Sequence, residues 1–368
     1  MANAVHQNNP SINSIFFPSF TGGGAERVGV LLANSLVERG GVVHVVVHRD
    51  EGPWRKYLDP RVAVIELGDC RYRWLIFKVV NYLRRHNPET MISIMNWFNV
   101  LASMAAVLSG WRGRLIVSEH ISLEGTTAAY GFWRSWVLRV LMRLLYRRAY
   151  RVVAVSDQLA RDLVVQLKLP EGKVVSIPNP VPVEDLRQSA MAPVSHRYFS
   201  EGVPIIIAVG RLQPQKDYPT MLRAVADLRK RRDVRLIILG EGQVRSELET
   251  LVKSLGLSEV VDLPGFVSSP WPWMARANTL VLTSLEEGWP MVLTEALALG
   301  IPIVATDCPT GPREILDNGK FGKLVPVGDV SAISTALEAT LNDPPDLAAL
   351  RARADEWSPR AALDAYLS

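Results

Sequence analysis

The chain has 368 residues, enough for two domains, and at 48% hydrophobic it can bury a sizeable core, which excludes global disorder. Its two cysteines, Cys70 and Cys308, stand far apart in sequence, so there is no disulfide framework and no paired-cysteine metal spacing, and a reducing compartment fits. The net charge of +4 is uneven: residues 1–185 carry 22 Lys and Arg against 15 Asp and Glu, and residues 186–368 carry 19 against 22. A basic front half suits an anionic partner. With no zinc-finger spacing and no RNA-recognition signature, a membrane surface or a phosphorylated acceptor fits better than nucleic acid.

The first residues, MANAVHQNNPSINSIFF, lack a basic stretch followed by a long apolar core, so no signal peptide is expected. No apolar run reaches 18 residues, so no spanning helix is expected either. SIFFPS (14–19) is the first strand candidate, followed by a glycine cluster and by AERVGVLLANSLVERG (25–40), which has helical periodicity. VVHVVVH (42–48), VAVIEL (62–67), TMISIM (90–95), RLIVSEH (114–120) and RVVAVS (151–156) are further strand-like runs, most of them separated by helical stretches. Strands and helices in alternation are the pattern of a parallel sheet covered on both faces, an α/β fold.

One helical stretch differs from the others. FWRSWVLRVLMRLLYRRAYR (132–151) sets Arg134, Arg139, Arg143, Arg147, Arg148 and Arg151 among tryptophans and leucines and contains no acid. Such a helix suits an anionic lipid surface, where each basic residue contributes about 1 kcal/mol. An ordinary amphipathic helix with its arginines in water carries the same pattern. RYRWLIFKVVNYLRRH (71–86) repeats the composition.

The alternation then restarts. PIIIAVGRL (204–212), VRLIILGEG (234–242), VVDLPGF (260–266), TLVLTS (279–284), IPIVAT (301–306) and GKLVPVG (322–328) are strand candidates. The seam between two doubly wound sheets falls near residues 177–202, a stretch rich in proline and polar residues. Sheets of this kind bind ligands at the carboxyl ends of their strands.

Three such ends carry charge or glycine. In EEGWPMVLTEALALG (286–300), Glu287 lies in a strand-to-helix loop, Pro290 suits the first helical position, and Gly300 is a natural stop. The free N–H groups of Met291 and Val292 make an anion site. Glu295 shares a stripe with Met291, Thr294 and Ala298, which faces either solvent or a ligand. In VGRLQPQKDY (209–218), Arg211 closes a strand and Lys216 follows in the next loop. An arginine fork and a lysine point charge at that place suit a diphosphate. In SFTGGGAERV (19–28), three glycines open a helix and let backbone N–H groups approach a phosphate or sugar. It is a poor dinucleotide fingerprint, with Arg27 where a third spaced glycine is expected, and there is no GKS or GKT of a P-loop.

VGRLQPQK, GEG, GF and Glu287–x7–Glu295 followed by GIPIVATD occur in an order and spacing that resemble the retaining glycosyltransferases of family 4. That family has the GT-B architecture, two Rossmann-like doubly wound parallel-sheet domains facing each other across a cleft. The resemblance covers nearly the whole chain and is strongest over 204–328. It implies an acceptor domain (1–185), a nucleotide-sugar domain (186–345), and a C-terminal segment (346–368) ending in a helix that crosses back onto the first domain. GGGAER and TDCPTGPREIL (306–316) resemble a bacterial subgroup that uses UDP-sugars, often N-acetylhexosamines, to build lipid-linked glycans or surface polysaccharides.

Carried over residue by residue, Arg211 and Lys216 would hold the donor diphosphate and Glu287 the hydroxyls of the transferred sugar. Glu295 would bind the ribose diol, and backbone around Val267 would meet the nucleobase. Gly22, Gly23 and Gly24 would approach the diphosphate and acceptor, and His120 would lie near the reacting sugar. Gly210, Gly288, Trp289, Met291 and Val292 would complete the donor site. The implied reaction moves a hexose or N-acetylhexosamine from a UDP-sugar to a hydroxyl of a lipid-linked or polysaccharide acceptor, with retention, leaving an α-glycosidic bond. His120, Arg211, Lys216 and Glu287 are its candidate catalytic residues. With no Asp-x-Asp motif, no metal and no cofactor beyond the UDP-sugar are expected, and the location expected is cytoplasmic, peripheral on the inner face of the membrane.

There are departures from the family pattern. Asp217 follows the lysine where glycine is usual, the seam reads PNP (178–180) rather than PNG, and CPTGP (308–312) leaves only Gly311 of a usual glycine pair. Two other readings share parts of the pattern: a GT-B-shaped nucleotide-sugar epimerase, and an inactive membrane-bound scaffold. The second has no need of Arg211, Lys216, Glu287 and Glu295, all of which are present. The degraded glycine fingerprint disfavours a dehydrogenase.

Overall fold

A computed structural model describes residues 11–21, 23–122 and 132–368. The chain divides into two compact units. The first gathers the chain up to Val155 with Leu159–Pro178 and Pro359–Ser368, and the second gathers Ser156–Gln158 with Asn179–Ser358. The boundary thus falls after Pro178, not at residue 185. Helix Val183–Ala190 belongs to the second unit and buries Val183, Leu186 and Ala190. The segment 346–368 is also split. Helix Leu347–Asp355 stays with the second unit, and helix Pro359–Leu367 joins the first.

The first unit is a seven-stranded sheet in the order β3-β2-β1-β4-β5-β6-β7. Its strands are β1 (Ile12–Phe17), β2 (Val42–Val47), β3 (Ala63–Glu66), β4 (Thr90–Ile94), β5 (Arg114–Glu119), β6 (Arg151–Ala154) and β7 (Val174–Ser176), and all pair parallel. The sequence pattern misses β7. Its three residues are all half-buried, too short a run for a period to register. The helices are α1 (Gly24–Glu38), α2 (Tyr72–His86), α3 (Asn96–Ser109), α4 (Phe132–Tyr146) and α5 (Asp157–Leu167).

Successive residues of β5 point to opposite faces of the sheet. Ser118 meets Tyr366 of the C-terminal helix on one face, and Glu119 meets Asn99 of α3 and Tyr146 of α4 on the other. The basic stretch 132–151 is not one helix. It ends at Tyr146, buries Leu138, Met142 and Tyr146, and opens β6 at Arg151. Two of its arginines serve the fold. Arg151 donates to the Ala365 carbonyl (3.0 Å) and Ser368 Oγ (3.1 Å), and Arg147 donates to the Lys168 carbonyl (2.9 Å). Among the described residues no helix is long and apolar enough to cross a membrane.

The second unit is a six-stranded sheet in the order β10-β9-β8-β11-β12-β13. Its strands are β8 (Ile205–Val209), β9 (Arg235–Leu239), β10 (Val261–Gly265), β11 (Thr279–Leu282), β12 (Ile303–Thr306) and β13 (Lys323–Val325), again all parallel. The helices are α6 (Val183–Ala190), α7 (Tyr218–Leu228), α8 (Arg245–Ser254), α9 (Trp271–Met274), α10 (Met291–Leu299), α11 (Pro312–Ile315), α12 (Val330–Asn342) and α13 (Leu347–Asp355). The strand order reverses between β8 and β11. That switch point is where an open α/β sheet leaves a crevice for a ligand.

Candidate active site

The loops after β8 and β11 meet at the switch point of the second sheet. Lys216 closes a short 3₁₀ turn, Pro214–Lys216, and its backbone is tied to the neighbouring loop. Thr283 Oγ1 donates to the carbonyls of Lys216 (2.9 Å) and Asp217 (3.1 Å). Leu285 N–H donates to the Gln215 carbonyl (2.8 Å), and Gln215 Nε2 donates to the Glu286 carbonyl (2.8 Å). These bonds hold Lys216 against Glu287. Lys216 Nζ donates to Glu287 Oε1, which also accepts from Ser284 Oγ at 2.6 Å. The two side chains are 20% and 9% exposed, so little water screens the pair.

The charge of Glu287 reaches its surroundings. Burial first, and Glu287 second, push the Cys308 thiol up to about 12, so it stays neutral at physiological pH. The same two causes raise Tyr218, whose hydroxyl donates to the Gly210 carbonyl at 2.9 Å. Gly210 packs beneath this group. A methyl there would lie 3.1 Å from the Tyr218 hydroxyl and 3.5 Å from Lys216 Cε. Arg211 follows at the exposed end of the strand.

Asp217, the departure beside the lysine, has a structural task. Its backbone is left-handed (φ 45°, ψ 46°), the conformation that favours glycine. Asparagine and aspartate tolerate it better than most residues, and here the carboxylate caps α7 by accepting from Thr220 N–H at 3.4 Å. Asp217 also lines a hollow of about 410 Å³ with Gln213, Pro214 and Arg223, but Lys216, Glu287 and Glu295 do not line it.

Helix α10 begins at Met291, with Pro290 as its N-cap rather than its first helical residue. Leu293 N–H returns to the Pro290 carbonyl (2.9 Å). The N–H groups of Met291 and Val292, ahead of it, have no acceptor within the helix. Of the two directions open to the stripe, solvent is excluded: Met291, Thr294, Glu295 and Ala298 are 9%, 0%, 5% and 0% exposed. Leu293, Ala296 and Leu297 on the other sides are buried too, so α10 is a core helix and Glu295 is no surface acid.

Gly288 and Trp289 face inward. Trp289 is 6% exposed and meets Trp357 edge-on at 5.5 Å. Gly311, at φ 85°, approaches the chain itself: a methyl there would lie 2.9 Å from the Gly288 carbonyl oxygen and 2.6 Å from Pro290 Cδ. The Thr310 hydroxyl donates to the Glu287 carbonyl in the same contact. The CPTGP segment thus braces the Glu287 loop, a task its sequence does not signal. Val267 is half-buried just beyond β10, behind the exposed Phe266.

In the first unit the glycine loop opens α1, with Gly23 as its extended N-cap and Gly24 its first residue. Gly22 lies outside the described residues. Arg27 is buried and stacks on Trp54, 5.2 Å from the ring centroid. His120 follows β5, 8% exposed, with Nε2 3.0 Å from Ser118 Oγ. Burial pushes its imidazole down to about 3, so it is neutral at pH 7. Among the described residues no group of three or more His, Cys, Asp or Glu could hold a metal ion.

The candidate residues therefore fall into sets held by different units. Gly210, Arg211, Lys216, Glu287 and the α10 N-terminus surround one sheet end, and His120 and the glycine loop lie at strand ends of the first unit. Two family models match the chain: "Glycosyltransferase Family 4" over residues 22–185 and "Glycosyl transferases group 1" over 196–357. A relative from Campylobacter jejuni, N-acetylgalactosamine-N,N'-diacetylbacillosaminyl-diphospho-undecaprenol 4-alpha-N-acetylgalactosaminyltransferase, is 29% identical over 338 residues, covering 89% of this chain and 90% of its own. A second Campylobacter jejuni relative, an alpha-1,4-N-acetyl-D-galactosaminyltransferase of the same kind of lipid-linked glycan, is 28% identical over 344 residues, covering 90% and 89%. Among solved structures, HepE of Anabaena in complex with UDP and glucose has a TM-score of 0.80 at 19% identity, covering 97% of this chain and 98% of its own.

Proposed function

The chain belongs to glycosyltransferase family 4 and has the GT-B fold, and from that premise we propose that it transfers an N-acetylhexosamine from a UDP-sugar, with retention, to a hydroxyl of a polyprenyl-diphosphate-linked glycan. The observation that carries this reading is the pairing of Lys216 with Glu287 at the switch point of the second sheet, beside Arg211 and the α10 N-terminus. The two Campylobacter jejuni relatives, N-acetylgalactosaminyltransferases of undecaprenol-linked glycans, support the sugar and the acceptor.

In this mechanism the bond from the anomeric carbon to the diphosphate oxygen breaks while the acceptor hydroxyl attacks from the same face. The hydroxyl proton passes to the leaving phosphate oxygen, and UDP and an α-glycoside result. Arg211, Lys216 and the N–H groups of α10 stabilise the charge developing on the diphosphate. Glu287 accepts hydrogen bonds from hydroxyls of the sugar, and Glu295 from the ribose. Two cations and a helix N-terminus supply the charge that a metal supplies elsewhere, so the reading needs no metal and no cofactor.

A lipid-linked acceptor and a UDP-sugar donor together suit an enzyme peripheral on the inner face of the cytoplasmic membrane. Helix α4 presents Trp133, Trp136, Val137 and Leu144, together with Arg134 and Arg143, on its exposed side. Helix α2 exposes Trp74 and Phe77, and neither helix contains an acid. Such a face suits an anionic bilayer surface.

The test is a transfer assay. UDP-GalNAc, UDP-GlcNAc and UDP-glucose are each offered with a synthetic polyprenyl-diphosphate glycan, and product linkage is read by NMR. An α-linked N-acetylhexosamine is expected. A β-linked product would overturn retention, and epimerised donor without transfer would overturn the transferase reading.

A further inference from the structure

Three side chains of the first unit form a buried row. Tyr366, from the C-terminal helix, lies with its hydroxyl 2.7 Å from Ser118 Oγ, which in turn lies 3.0 Å from His120 Nε2. The three residues are 1%, 0% and 8% exposed. On its other edge, His120 Nδ1 is buried and has no partner among the described residues. The helix that delivers Tyr366 is fastened at both ends: Asp364 and the Arg360 carbonyl accept from Arg39 at 2.6 and 3.2 Å, and the Ala365 carbonyl accepts from Arg151 at 3.0 Å.

The protons of this row can be counted. Burial keeps the imidazole neutral with one N–H, and burial pushes Tyr366 up to about 12, so its phenol keeps its proton. Suppose Nε2–H donates to Ser118. Then Ser118 and Tyr366 share one remaining bond, one hydroxyl proton is buried with no acceptor in the row, and Nδ1 is left as a bare acceptor. Suppose instead that Tyr366 donates to Ser118 and Ser118 donates to Nε2. Then every hydroxyl proton is used and only the Nδ1–H is unspent. Each arrangement leaves one buried donor unspent, but the first also strands the Nδ1 lone pair as a buried acceptor, so the second, with a single stranded group, is favoured.

We propose that the C-terminal helix sets the tautomer of His120: Tyr366 and Ser118 act as positioning residues that leave the proton on Nδ1, making it a hydrogen-bond donor for an acceptor oxygen of the bound sugar. The sugar as recipient rests on the proposed role of His120 in transfer; the tautomer does not. The assignment gives His120 a defined chemistry. In that tautomer it donates to an oxygen and does not act as a base from Nδ1.

The experiment uses the full chain labelled with ¹⁵N and ¹³C histidine, with the His120→Asn spectrum identifying the His120 signals. The wild type should show the Nδ1–H tautomer. Ser118→Ala should shift it to Nε2–H, the form free imidazole prefers, and Tyr366→Phe, which keeps the ring packing, should give a mixture. An Nε2–H tautomer in the wild type would overturn the proposal, as would an unchanged tautomer in either variant. The same variants are assayed for transfer. Loss of one donated bond should lower kcat roughly five- to tenfold in Ser118→Ala. A shifted tautomer with wild-type kcat would remove His120 from the reaction and leave the tautomer assignment standing.

Discussion

Replacing Glu119 by glutamine should make the protein more stable at alkaline pH and change little at acid pH. Glu119 is 0% exposed. Its Oε1 accepts from Asn99 Nδ2 at 2.8 Å and from the Tyr146 hydroxyl, and its Oε2 has no partner among the described residues. Burial raises its carboxyl from 4.5 to about 7, against the pull of those two donors. The folded protein therefore holds a proton that the unfolded chain has already released. The stabilising contribution is complete below pH 4.5, declines as pH rises, and is lost above about 7. At about 1.4 kcal/mol for each tenfold step in proton affinity, the loss is about 3 kcal/mol. Glutamine matches the protonated acid in shape and does not titrate. Hydrogen exchange read by mass spectrometry over β4 and β5 checks this within the first unit. Comparing the two proteins at the same pH cancels the intrinsic exchange rate. Protection in Glu119→Gln should exceed the wild type by roughly a hundredfold or more at pH 8 and by only about fourfold at pH 5. His120 titrates in the opposite sense, losing stability as pH falls from 6.5 toward about 3, but it is present in both proteins and cancels. A ratio of protection factors that is the same at both pH values would refute the reasoning.

Lys216→Ala should lower kcat on the order of 10²- to 10³-fold, as loss of one charge-stabilising donor does; wild-type turnover at saturating donor would remove Lys216 from the diphosphate. Glu295→Ala should mainly raise the donor KM, since ribose contacts are made equally in ground and transition states, and a large fall in kcat at unchanged KM would sink that role. Asp217→Gly should cost only a few tenths of a kcal/mol, whereas Asp217→Ala, which loses the cap and keeps the left-handed backbone, should cost about 2 kcal/mol in urea unfolding. Replacing Trp133 and Trp136 by alanine should weaken co-sedimentation with phosphatidylglycerol vesicles and leave turnover on a soluble acceptor analogue unchanged; equal vesicle binding would discard the α4 surface.

The strands were largely legible because a buried parallel strand is a run of β-branched residues, and such runs mark β2, β8, β9 and β12 without ambiguity. β7 escaped because three half-buried residues carry no pattern. The charged residues at the β8 and β11 ends were legible for a different reason: the strand pattern fixes where each loop begins, so Lys216 and Glu287 could be placed beside a sheet end before any contact was known. What sequence could not supply was partnership. Arg147 and Arg151 share a composition with Arg134 and Arg143, yet they bond to backbone carbonyls far along the chain. Tyr366 lies 248 positions from Ser118, and nothing local announces the bond between them. Glu295 was undecided from periodicity, because α10 is apolar on every side and a period distinguishes faces only when they differ.

The bond between Lys216 and Glu287 changes how each should be understood. The resemblance assigned one to the diphosphate and the other to the sugar, as separate contacts with two parts of one donor. In the structure they are partners first, with Ser284 as a third. A carboxylate only 9% exposed on its side chain is costly unless a cation stands beside it. Lys216 therefore aims Glu287, and Glu287 fixes a lysine that would otherwise lose rotamer freedom on binding a phosphate. A ligand carrying both an anionic oxygen and hydroxyls could engage the pair without leaving either charge unpaired. A simple phosphate would have to draw Lys216 toward itself and weaken its hold on Glu287. For the proposed donor the pair would favour a sugar diphosphate over inorganic phosphate, and truncating either residue measures the damage to both.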